Sequence, residues 1–91
     1  AHQVLVVARD TAFDPAEIRI RAGQWTSVSL QNDDPVFHDW MVEGIANVDV
    51  GARPGQTAST RFIIDKPGEY TYVCTVEGHM EAGMEGRLIV D

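Results

Sequence analysis

The sequence predicts an all-β protein, a Greek-key β-sandwich of seven to eight strands. Three observations carry that expectation. Turn-forming residues punctuate the chain at short intervals: Asp14-Pro15, Ala22-Gly23, Asn32-Asp33-Asp34-Pro35, Pro54-Gly55, Pro67-Gly68 and the stretch from Gly83 to Gly86. Between them lie short runs rich in Val, Ile, Thr, Tyr, Phe and Trp, which is the spacing of a sandwich or barrel. No helix-length window places its apolar residues at helical spacing.

The elements follow in order. Residues 4–8 are apolar at every position and predict a strand covered on both faces. Ile18 and Ile20 share one face, opposite Glu17, Arg19 and Arg21, and Val28 and Leu30 oppose Ser27 and Ser29. Val36, His38, Trp40 and Val42 are in phase, which puts His38 on the core-facing side with Trp40. Residues 45–52 fit a loop, a short strand or a turn of helix. Phe62 aligns with Ile64, and Tyr70 with Tyr72 and Cys74; the closing run 88–90 resembles the first. Trp25, Trp40, Phe13, Phe62, Tyr70 and Tyr72 are expected in the core, and the Tyr70 hydroxyl suits the corner anchor that β-sandwiches use.

Ninety-one residues predict a single domain spanning 1–91, near the lower end of what one core stabilises. The apolar fraction of 44% is ordinary for a globular protein. No apolar run approaches the ~20 residues that cross a bilayer, and no signal segment precedes the first strand, as expected of a mature form or an excised domain. A formal charge of −7 and a pI of about 4.7 argue against nucleic acid or an anionic membrane and for a basic protein partner. The single cysteine excludes an internal disulfide. It is expected to be buried, metal-bound or both.

The chemistry concentrates in Tyr72-Val-Cys74-Thr-Val-Glu-Gly-His79-Met-Glu-Ala-Gly-Met84-Glu-Gly. Taken singly, strand-borne His38 reads as a satisfied core residue, Cys74 as a small buried hydrophobe and Met84 as filler. Together on one loop between two strands, with His38 available from a distant strand, they offer a thiolate, two imidazoles and a thioether. That is the ligand set of a blue-copper electron-transfer site, and it favours copper over zinc. Met80 directly follows His79 and is expected to diverge from the metal, at the exposed rim. His2 reads as a solvated end residue. Glu77, Glu81, Glu85 and the Asp33-Asp34 pair read as a solvated acidic rim that steers a basic partner. No Gly-rich phosphate loop and no Ser/His/Asp arrangement is present.

Beyond the ligand spacing, Phe13-Asp-Pro15-Ala-Glu-Ile18-Arg-Ile20-Arg-Ala22-Gly23, then Asn32-Asp-Asp34 and His38, resemble the cupredoxins, the plastocyanin/azurin superfamily. Pro67-Gly68-Glu69-Tyr70-Thr-Tyr72-Val-Cys74 resembles their strand into the cysteine ligand, and Gly83-Met84-Glu85-Gly86 their methionine ligand before the closing strand. The resemblance implies an eight-stranded sandwich with one copper at one end, held by His38, Cys74, His79 and Met84. It implies cycling between Cu(II) and Cu(I), and an exposed His79 edge in a small apolar patch of Pro35, Met80, Ala82 and Gly83. The symmetric spacing from Cys74 through His79 to Met84 is closer to auracyanin- or rusticyanin-like loops than to plastocyanin or azurin.

Most relatives carry Asn after the first histidine, where this chain has Asp39. An Asp39–Thr75 hydrogen bond is expected, with the Asp39 backbone N–H near the Cys74 sulfur and a potential lowered by the added carboxylate.

The expected function is one-electron transfer between protein redox partners, of cytochrome or oxidase/reductase type, by a monomer that is not itself an enzyme and does not insert into a membrane. The expected location is periplasmic or otherwise extracytoplasmic. Two alternatives use the same ligands: a copper-trafficking or storage protein, and an electron-input domain excised from a larger copper enzyme. A dinuclear site is disfavoured because only one Cys is available to bridge.

Overall fold

Alternating apolar and polar residues, cut by Gly and Pro, produce strands with one buried face. The computed structural model describes residues 2–91, and among them there is no helix. The strands are β1 (His2–Arg9), β2 (Ala12–Asp14), β3 (Glu17–Ile20), β4 (Thr26–Asn32), β5 (His38–Val42), β6 (Asp49–Ala52), β7 (Thr57–Phe62), β8 (Gly68–Val73) and β9 (Glu85–Val90). They form two sheets, ordered β2-β1-β4-β7 and β3-β9-β8-β5-β6. The sandwich is as predicted, with nine strands. The surplus is β2, too short for any periodicity to reveal.

Four expectations are corrected. The β1 run is not covered on both faces: Val6 and Ala8 are buried, but Leu5 is 54% exposed. The outer face of its sheet is open to solvent, and β-propensity rather than burial accounts for the apolar residues there. β9 likewise buries Leu88 and Val90 while Ile89 stays half-covered. Trp25 is 46% exposed, its ring capped by the Arg61 guanidinium 4.5 Å from the centroid, a contact that Trp makes well at a surface. Val36, in phase with His38, lies outside β5 and is exposed, because the bend over 34–36, which contains Pro35, breaks the alternation. Residues 45–52 resolve into a turn followed by β6.

The core beneath the site is aromatic. Trp40 lies 5.4 Å from Tyr72 and 6.0 Å from Phe62, and Phe13 meets Tyr72 edge-on at 5.5 Å, separations at which ring quadrupoles attract. The Tyr72 hydroxyl donates to the Pro15 carbonyl at 2.7 Å. Gly86, opposite Tyr72 across β8 and β9, makes room for that ring, since a Cβ there would come within 2.5 Å of it. Tyr70 anchors its corner as expected, donating to the Lys66 carbonyl at 2.7 Å.

Sheet register places the site. β5 and β8 are antiparallel with Met41 opposite Val73, and β8 and β9 are antiparallel with Val73 opposite Glu85. The start of β5, the end of β8 and the start of β9 therefore share one end of the sandwich. His38 opens β5, Cys74 follows β8 and Met84 precedes β9.

Candidate metal centre

The loop between β8 and β9 is tied by its own backbone. Cys74 N–H donates to the Met84 carbonyl at 3.2 Å, and Met84 N–H to the His79 carbonyl at 3.0 Å. His79 N–H donates to Val76, Ala82 N–H to Gly78 and His79, and Gly83 N–H to Met80. Gly83 sits at φ 96°, a conformation that side chains resist, and there the chain turns back toward β9. These local bonds set the spacing of Cys74, His79 and Met84. His38 comes from the strand side and is fully buried, as is Met84; Cys74 is 1% exposed and His79 half-buried.

The donor atoms converge. Cys74 Sγ lies 3.8 Å from His38 Nδ1 and 3.3 Å from His79 Nδ1, and all three fall within 4.8 Å of one another. One metal bonded to sulfur at ~2.3 Å and nitrogen at ~2.0 Å, about 120° apart, needs sulfur and nitrogen roughly 3.8 Å apart. The donor set fits a single soft ion. Met80 is 44% exposed, at the rim, as expected.

In the metal-free protein, burial pushes the Cys74 thiol up. Backbone N–H groups of Asp39 and Val76 point at the sulfur and pull the other way, while the Asp39 carboxylate adds to the upward shift. The expected Asp39–Thr75 link is present: Thr75 N–H donates to Asp39 Oδ1 at 2.6 Å, and the Thr75 hydroxyl donates to Asp39 Oδ2.

The acidic rim divides. Glu77, Glu81 and Glu85 are exposed, and Asp33 faces Arg9 at 3.1 Å. Asp34 is not a rim residue. Its side chain is 9% exposed and bonds to His38 Nε2 at 2.6 Å and to the backbone N–H groups of Asp10 and Thr11 at 2.8 and 3.0 Å. Burial raises its pKa, but these hydrogen bonds outweigh that cost and hold it below the ordinary carboxylate value. Reading Asp33-Asp34 as one solvated pair missed this; the only hint in sequence is the four-residue step from Asp34 to His38. Val36 and Phe37, each 46% exposed, add apolar surface beside His38 to the expected patch.

The cupredoxin-like domain model matches residues 1–90. This chain belongs to the cupredoxin-like family. The cupredoxin is 29% identical to Auracyanin-A of Chloroflexus aurantiacus, over 90% of this chain and 68% of that protein. It is 30% identical to cytochrome c oxidase subunit 2 of Thermus thermophilus, over 98% of this chain and 65% of that one. Among solved structures, auracyanin B superposes with a TM-score of 0.84 at 26% identity, covering 100% of this chain and 89% of that one. The cupredoxin thus spans about two thirds of the length of these curated relatives.

Proposed function

We propose that this cupredoxin is a one-electron carrier with a single copper held by His38 Nδ1, Cys74 Sγ, His79 Nδ1 and the Met84 thioether. The convergence of one sulfur and two imidazole nitrogens at the end of the sandwich carries the reading. Copper bound there would supply a one-electron Cu(II)/Cu(I) couple between a donor and an acceptor protein.

The chain's own residues do the rest. Cys74 Sγ gives up its proton on metal binding, and the Asp39 and Val76 N–H groups help hold the resulting negative charge. Buried His38 and Met84 exclude water from one side, and half-buried His79 offers the way in from the surface. Exposed Val36, Phe37 and Met80 beside the ligands suit brief apolar docking, and the acidic rim suits a basic redox protein of cytochrome or oxidase/reductase type.

The protein would act as a monomer outside the cytoplasm, as one domain over 1–91, with electron transfer rather than catalysis as its activity. The alternative of an input domain in a larger copper enzyme is favoured by the oxidase-subunit relative; it changes the partner and leaves the site as it is.

The test is Cu(II) reconstitution followed by visible and electron-paramagnetic spectroscopy, with Cys74→Ser alongside. The expected result is an intense thiolate-to-copper band that Cys74→Ser abolishes, with reversible voltammetry and no loss of metal. No strong band in the wild type sinks the assignment. Metal that leaves on reduction points to trafficking instead. Asp39→Asn is expected to raise the potential.

A further inference from the structure

The two histidines of the site are held differently. A neutral imidazole carries one N–H, and whichever nitrogen keeps it cannot bind a metal. His38 Nε2 lies 2.6 Å from Asp34 Oδ2, and that oxygen also accepts the Thr11 N–H at 3.0 Å while Oδ1 accepts the Asp10 N–H at 2.8 Å. Two backbone N–H groups already converge on its oxygens, and an ionised carboxylate has no proton to donate, so toward the imidazole it can only accept. The proton of neutral His38 therefore belongs on Nε2, and Nδ1 is left bare on the side of Cys74.

The carboxylate is itself fixed. Asp10 and Thr11 form the two-residue turn between β1 and β2, both at positive φ (53° and 55°), a conformation that a β-branched threonine resists. Asp34 ties down both of their amides, and its own N–H donates to Oδ1 of fully buried Asn32 at 2.9 Å. Asn32 in turn donates to the Val36 and Ala52 carbonyls at 2.8 and 2.9 Å. A chain of contacts thus runs from the β1–β2 turn through Asp34 to His38.

We propose that Asp34 is a positioning residue of the metal centre: it fixes the His38 tautomer and ring orientation, and lends the imidazole negative character that favours the oxidised metal. The copper part of this rests on the function proposed above; the tautomer part does not. Outer partners of this kind typically change metal affinity by about 10–100-fold. Asp34→Asn is expected to weaken Cu(II) binding within that range and Cu(I) binding less. A tenfold difference between the two states corresponds to a rise in potential of about 59 mV for one electron.

The experiment has two arms. Long-range proton–nitrogen correlation on the metal-free wild type at pH 8 should show His38 as a single Nε2–H tautomer with a slowly exchanging proton. An Nδ1–H tautomer, or rapid averaging of the two, overturns the proposal, and this arm stands even if Asp34→Asn does not fold. In folded Asp34→Asn, His38 should lose its single tautomer and the potential should rise. If both stay as in wild type while only melting temperature falls, Asp34 merely pins the turn and the proposal fails. A wild type with the expected tautomer but no blue band would sink the copper reading and leave the positioning role standing.

Discussion

The two halves of the candidate metal centre are built by different means. His38 opens a strand, is fully buried, and is fixed through Asp34 and Asn32 by the β1–β2 turn, β4 and β6. Cys74, His79 and Met84 sit on one loop whose bonds are mostly internal, and His79 is half-buried, with Cys74 Sγ as its ring's hydrogen-bond partner. One half is held by contacts distant in sequence, the other by local turns. With copper in place as proposed, the buried half would hold its ligand rigidly and the loop half would leave an edge for partners to reach.

The sharpest test of that difference is truncation in the metal-free protein. His38→Ala should cost about 2–4 kcal/mol, because it opens a buried space and removes a donor from Asp34. His79→Ala should cost under about 1 kcal/mol, as changes at a half-exposed loop position usually do. Urea denaturation of both variants decides, and equal losses would remove the distinction.

Tyr72, beneath the strand-held half, comes next. Tyr72→Phe should cost about 1–2 kcal/mol by leaving the Pro15 carbonyl without its donor. Burial, with a smaller contribution from Glu17, pushes the Tyr72 phenol above its ordinary 10.0. The unfolded chain therefore ionises first, so stability is complete below about pH 10 and falls as pH rises beyond it. Denaturation midpoints between pH 9 and 11 should show a decline that Tyr72→Phe flattens.

On the loop half, Gly83→Ala should cost about 1 kcal/mol, since φ 96° strains any side chain. The loss should appear as faster hydrogen exchange at the Ala82 and Met84 amides, with core strands unchanged. The smallest effect on stability belongs to the rim. Glu81→Gln should shift stability by less than about 0.5 kcal/mol, yet slow association with a basic redox partner and flatten its salt dependence. An unchanged ionic-strength profile in stopped-flow measurements would remove the steering role.

Much of this was legible in the residues. The alternation at Ile18 and Ile20, Val28 and Leu30, and His38 and Trp40 gave the buried faces correctly, because the pleat ties side-chain direction to sequence parity. Cys74, His79 and Met84 were legible as a group because the bonds that hold them are local. The Asp39–Thr75 bond followed from the family resemblance. Leu5, Trp25 and Val36 were misjudged for a common reason: apolar character does not say whether another layer covers the residue. Trp25 finds Arg61 instead, Leu5 faces open solvent, and Val36 is turned out by the bend at Pro35.

The sequence by itself therefore determined the sandwich, the soft donor set and the loop that carries three of its members, since each depends on near neighbours and on parity. Tertiary structure alone decided which carboxylate is solvent-facing and which is structural. Asp33 and Asp34 are adjacent and chemically identical, yet one pairs with Arg9 at the surface and the other is buried between a turn and His38. Amides arriving at Asp34 from a turn more than twenty residues earlier, and the His38 ring beside it, separate them.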